Sequence, residues 1–206
     1  MTVLTAVLFD LDGVLIDACN WHRIAFTEAV ESFTQWTLSE AKHDKDYNGL
    51  PTKVKLAMLV ERGIVRKEDV EGISKLKQEK TMKLIEKNAV EDPKKIEMIH
   101  WLQNEGISMA CVTNSVRAST MDMLERIGLR KYMEAIITNE DIKVGKPSPE
   151  GYLLAMDKLG ADPNRTVIVE DSEKGLMAAY ASEARHVIKV ANAKSVNKKL
   201  LKDLIE

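Results

Sequence analysis

The stretch Phe9-Asp10-Leu11-Asp12-Gly13-Val14-Leu15-Ile16-Asp17 follows a nearly unbroken apolar run from Val3 to Leu8. A run without polar alternation predicts a strand buried on both faces, as in a parallel sheet, and such sheets collect ligands at the carboxyl ends of their strands. Asp10 and Asp12 are two apart on an extended chain and so point the same way, while Gly13 lets the backbone turn directly after them. Two carboxylates can then face one bound group. The same residues also suit a plain Asp-Gly turn leaving a strand, and the rest of the chain has to decide.

Downstream the pattern is first helical. Trp21, Ile24, Ala25, Val30 and Phe33 recur at three- and four-residue spacings, predicting an amphipathic helix over 20–33. The helical pattern resumes from Leu50 to Asn88, with Pro51 suited to a first turn. Asp92-Pro93 starts another helix that runs to Asn104 and stops at Gly106. The period then changes. Strand-like runs at 107–112, 135–138, 166–169 and 186–190 alternate with helical stretches near 116–127, 149–159 and 172–181, and a closing helix is expected over 194–205. This predicts an α/β protein with a Rossmann-like, doubly wound parallel sheet. An α-helical domain is inserted between the first strand and the second. The expected boundaries are 1–16 with 92–206 for the core and 17–91 for the insertion, with hinges near Leu15–Ala18 and Glu91–Pro93.

Each later strand ends in polar residues. Val112 gives way to Thr113-Asn114-Ser115 before a helix, which suits either an anion site or a simple N-cap at Ser115. Gly145-Lys146-Pro147-Ser148-Pro149 holds a lysine in a stiff loop, although an isolated lysine is more often exposed. Val167-Ile168-Val169 ends in Glu170-Asp171-Ser172, two acids that also suit a helix N-terminus.

Together these four motifs, in this order and over essentially the whole chain, resemble the haloacid dehalogenase superfamily of phosphohydrolases. The branch is the one with a helical cap after the first strand, which includes β-phosphoglucomutase-like and phosphoglycolate-phosphatase-like enzymes. The resemblance implies Asp10 as nucleophile and Asp12 as general acid/base. Thr113 and Lys146 would hold the transferring phosphoryl group, with Asn114 and Ser115 lining the same pocket. A magnesium ion would be held by Asp10, the backbone carbonyl of Asp12 and Asp171, supported by Glu170. Asn48-Gly49-Leu50-Pro51-Thr52-Lys53 resembles the family's cap loop, in which Lys53 either contacts the substrate or is simply solvated. Asp17 and His22 read as a helix cap and a packing residue. Ser182 stands where the family usually has glycine, a departure that concerns packing.

The expected activity is a phosphoric monoester hydrolase acting on a small phosphorylated metabolite, most simply a sugar phosphate, through an aspartyl-phosphate. The alternatives are a β-phosphoglucomutase-like mutase and a non-catalytic binding protein on the same scaffold. Hydrolysis is preferred over the mutase because Thr52 and Lys53 stand where a mutase relative carries arginine. Lysine lacks the bidentate fork that would hold a second phosphate. Ala18, moreover, supplies no hydroxyl.

Composition sets the remaining expectations. The 206 residues carry a formal charge of −2, with 45% hydrophobic and 30% charged residues, which gives no electrostatic reason to expect nucleic acid. Cys19 and Cys111, the only cysteines, read as buried free thiols of a reducing compartment rather than a disulfide. No apolar stretch approaches the ~20 residues that span a bilayer. The sequence reading is therefore a cytoplasmic protein, without membrane partners, monomeric or weakly dimeric.

Overall fold

In this computed structural model the described residues are 4–40, 42, 46–47 and 50–205. The opening apolar run forms β1, Ala6–Phe9, with all four residues buried. Four further strands follow: β2 Ser108–Val112, β3 Ala135–Ile137, β4 Thr166–Glu170 and β5 His186–Lys189. All pairs are parallel and the order is β3-β2-β1-β4-β5, so the first strand is central and the chain crosses over it in both directions. The helices between them are α4 Pro93–Asn104, α5 Arg117–Arg126, α6 Glu150–Leu159 and α7 Glu173–Ala181, and α8 Lys198–Ile205 closes the chain.

Strand alternation sorts the core. Leu8, Ala110, Ile137 and Ile168 join one apolar cluster with Tyr152, Ala155 and Met156 of α6 and Ala178 and Ala179 of α7. The intervening Val7, Phe9, Met109, Cys111, Val167 and Val169 point to the opposite face and are buried as well. Burial on both faces explains why these strands read as continuous apolar runs rather than alternating ones.

By chain packing the molecule divides into two compact units, Met1–Asp17 with Ala89–Glu206, and Ala18–Asn88. The second unit contains α1 Cys19–Glu31, α2 Thr52–Glu61 and α3 Val70–Asn88. Its own core gathers Phe26, Val30, Leu56, Leu59 and Ile73. The expected helical run 50–88 is interrupted where Gly63 takes φ +68° and a 3-10 turn at Lys67–Asp69 leads into α3. Asp17 does not cap α1, whose N-cap is Ala18 with no side-chain bond. His22 places Nδ1 3.2 Å from Lys77 Nζ of α3. In the closing segment the predicted helix begins later, at Lys198, after a separate 3-10 turn at Ala193–Ser195. Cys111 is buried as expected, Cys19 is only half-buried, and neither forms a disulfide. Among the described residues no helix is long and apolar enough to cross a membrane.

One loop tie has a measurable pH signature. Asp141 accepts from the Thr138 N–H and hydroxyl, each at 2.8 Å, and from Arg117 Nη2 at 2.5 Å. Partial burial pushes its pKa up, but these donors outweigh that and hold it below the usual carboxylate range. A depressed carboxylate stabilises the fold above its unfolded pKa of about 3.9 and loses that contribution as pH falls through the folded value. Asp141→Asn is therefore expected to be less stable than wild type in urea at pH 7, with the gap closing towards pH 2. A gap that persists in acid would assign the effect to shape rather than charge.

Candidate active site

Strand register builds the site. Phe9 lies opposite Cys111 on one side and Val169 on the other, so Asp10, the next residue, comes between Val112 and Glu170. The Asp10 N–H donates to the Val169 carbonyl at 3.0 Å, which extends the ladder one residue past β1. The chain then turns tightly. Leu15 and Ile16 both donate to the Leu11 carbonyl, and Gly13 takes φ +89°. A Cβ on Gly13 would lie 2.1 Å from Asp171 Oδ2, so glycine is needed here for close approach as well as for conformation.

Lys146, in the loop between β3 and α6, is the centre of the polar cluster. Its Nζ donates to Asp10 Oδ1, to the Val112 carbonyl at 2.9 Å and to Glu170 Oε1 at 2.5 Å. Those three acceptors use all three protons of an ammonium. Burial disfavours its charge, but Asp10 and Glu170 outweigh burial and raise its pKa well above normal, so it stays protonated. Asn114 clamps its backbone, accepting from the Lys146 N–H at 3.0 Å and donating to the Lys146 carbonyl at 3.3 Å.

Glu170 is fully buried and its oxygens are fully engaged. Oε1 accepts from Lys146 and from the Tyr152 hydroxyl at 2.7 Å; Oε2 accepts from the Asp171 and Ser172 N–H groups and the Ser172 hydroxyl. Asp171 next to it is less enclosed. Burial and the Glu170 charge push its pKa up to about 6 against the pull of Lys146. Asp10 is also pushed well up, first by burial and then by Glu170, Asp12 and Asp171, with Lys146 opposing. Asp10, Glu170 and Asp171 each offer a carboxylate oxygen, all within 4.8 Å of one another, the one such cluster among the described residues. Among the described residues the Lys146 ammonium pairs with Asp10 and Glu170, while the charges of Glu170, Asp12 and Asp171 all act on Asp10. The cluster is short of positive charge.

Asp12 is held on the β2 side. The Ser115 hydroxyl donates to its Oδ2 at 2.7 Å, and Thr113 Oγ1 lies 3.4 Å from the same oxygen. Ser115 is not a helix cap: α5 begins two residues later with Val116 at its N-cap, and the Arg117 N–H is taken by Glu140. Nor are Glu170 and Asp171 a helix-terminal pair, since Ser172 caps α7 by accepting from the Gly175 N–H at 3.0 Å.

A profile of the haloacid dehalogenase-like hydrolases matches residues 7–189. The chain belongs to this family. It is 29% identical to a phosphorylated carbohydrates phosphatase of Thermotoga maritima, over 95% of this chain and 89% of that protein. It is 26% identical to the fructose-1-phosphate phosphatase YqaB of Escherichia coli, over 85% and 91%. Among solved structures, CbbY of Rhodobacter sphaeroides in complex with phosphate shares the fold at a TM-score of 0.80, with 24% identity over 91% of this chain and 87% of that one. The β-phosphoglucomutase of Clostridium difficile shares it at 0.82, with 17% identity over 98% and 96%.

In this hydrolase, then, Asp10, Asp12, Thr113, Asn114, Ser115, Lys146, Glu170 and Asp171 converge at the carboxyl end of the central strands. Lys53 belongs to the other unit, exposed in the first turn of α2. Asn48 and Gly49, in the stretch that resembles a cap loop, lie outside the described residues. Sequence reasoning missed Tyr152, whose position in α6 fits an apolar period and so reads as core. The available signal was its hydroxyl, which needs a partner when buried. It also missed Gly175, where a Cβ would come within 1.9 Å of Glu170 Oε1.

Proposed function

We propose that this protein is a magnesium-dependent phosphatase of a small phosphorylated metabolite, most simply a sugar phosphate, working through an aspartyl-phosphate on Asp10. The observation that carries this reading is the buried Asp10 at the end of the central strand, paired with Lys146 and crowded by three further carboxylates. The names of the relatives support the substrate class. The all-oxygen donor set and its excess of negative charge suit a hard divalent cation, and magnesium typically takes one or two carboxylates plus substrate phosphate. Asp10, the Asp12 carbonyl and Asp171 would hold it, while Glu170, with both oxygens already bonded, orients its neighbours from behind. When bound, the ion supplies charge neutralisation for the phosphoryl oxygens.

The chain's own residues then do the following. An Asp10 oxygen attacks phosphorus and the bond to the ester oxygen breaks, while Asp12 gives its proton to the departing alcohol. Asp12, held by Ser115, next takes a proton from water, which attacks the phosphorus of the acyl-phosphate. Inorganic phosphate leaves and the Asp10 carboxylate is restored. Lys146 holds Asp10 in place and offers its charge to the phosphoryl group. We assign residues 18–88 the part of a cap that selects the substrate.

A panel of sugar phosphates, phosphoglycolate, nucleotides and a chromogenic aryl phosphate, assayed with magnesium, tests the reading, with phosphate released in step with substrate loss as the expected result. Efficient conversion of β-glucose 1-phosphate to glucose 6-phosphate, primed by a trace of the bisphosphate and without phosphate release, would replace the phosphatase by a mutase. Magnesium itself should stabilise the fold, by about 2.7 kcal/mol at 100 times its Kd. An unchanged melting temperature in wild type, or an equal shift in Asp171→Ala, would remove the metal from this site.

A further inference from the structure

We propose that Tyr152 is a positioning residue of the active site, one that governs how the Lys146 ammonium is shared between Glu170 and the phosphoryl-binding side. The inference rests on the phosphatase reading. Tyr152 lies in α6, outside the four motifs, and is fully buried. Two of its features act on the same pair. Its hydroxyl donates to Glu170 Oε1 at 2.7 Å, the oxygen that also accepts from Lys146. Its ring lies beneath the ammonium, with Nζ 4.9 Å from the centroid, a distance at which the ring face attracts a cation.

The consequence follows from counting bonds. All three Lys146 protons are engaged by Asp10, Val112 and Glu170, so contact with an incoming phosphoryl oxygen requires one of these bonds to loosen. The Tyr152 hydroxyl satisfies part of the accepting capacity of Oε1 and thereby weakens the hold of Glu170 on the lysine. Without that hydroxyl, Oε1 has Lys146 as its one remaining donor. The ammonium is then drawn towards Glu170 and away from Asp10 and the substrate. A hydroxyl deep in the core thus sets phosphate affinity without touching phosphate.

Tyr152→Phe keeps the ring and removes the hydroxyl. It is expected to raise the Kd of inorganic phosphate, measured by calorimetry with magnesium present, by about tenfold, the weight of one hydrogen bond to a charged group. KM for an aryl phosphate should rise in parallel and kcat should change much less. In a Glu170→Gln background the same substitution should have no further effect on Kd, because the residue acts through that carboxylate. Incorporation of 3-fluorotyrosine at position 152 preserves shape and strengthens the donor, so it remains informative if the phenylalanine variant folds poorly; tighter phosphate binding is expected. A lower melting temperature with unchanged Kd and KM in the phenylalanine variant, or no change with fluorotyrosine, would make Tyr152 a core residue and nothing more. A wild type that neither binds phosphate nor hydrolyses any monoester would instead overturn the phosphatase reading itself.

Discussion

Asp10→Asn is expected to leave a folded protein whose turnover of phosphate monoesters falls by a factor on the order of 10⁴ or more, since removal of a covalent nucleophile abolishes the route rather than slowing one step. The carboxamide has the same shape and cannot form the acyl-phosphate. Stability should change little, for two opposing reasons. Lys146 loses a charged partner but keeps Glu170 and the Val112 carbonyl. The cluster meanwhile loses one of four mutually repelling carboxylates, and the one whose charge burial already disfavours. Steady-state kinetics together with circular dichroism separate the two effects. Retained turnover in a folded variant would take the nucleophile's role from Asp10.

A second large effect is expected at Gly175, the third residue of α7. Glycine to alanine in a helix ordinarily stabilises by about 0.5–1 kcal/mol. Here the sign should reverse. The added methyl would overlap all three atoms of the Glu170 carboxyl group at 1.9 to 2.1 Å and drive it from its donors. Breaking a buried, hydrogen-bonded charge pair costs about 3–5 kcal/mol. For a chain of this size that corresponds to a melting temperature lower by about 6–20 °C. A thermal melt decides it. Alanine tolerated at wild-type stability would mean that Glu170 can be accommodated elsewhere, and that its network is not what holds Lys146.

The comparison between sequence and structure divides along a physical line. Asp10, Lys146, Glu170 and Asp171 were legible because each follows an apolar strand run or a proline-stiffened loop, and parallel topology brings such ends together. The helical insertion was legible from its period. Side-chain direction was not. Ser115 read equally well as a helix cap or an anion ligand, and only the start of α5 at Arg117 shows its hydroxyl directed at Asp12 instead. Asn114 reads as a pocket residue, yet both ends of its amide clamp the Lys146 backbone. Tyr152 carries only the apolar period of a core residue, and Gly175 carries no periodic signal at all. Their importance is a matter of what lies beside them in space.

The central place of β1 in the sheet has a consequence for biosynthesis. Ala6 pairs with Ser108 and with Thr166, so β1 leaves the ribosome about 100 residues before one neighbour and about 160 before the other. Residues 18–88, with a core of their own, can fold meanwhile. Until β2 is made, the nascent chain therefore carries an unpaired, wholly apolar strand, a segment that invites chaperone capture or aggregation. Long-range pairing of this kind also makes folding slow. Ribosome-bound chains halted before residue 166 can hold a finished helical unit, but they lack the β4 strand and the acids that follow it.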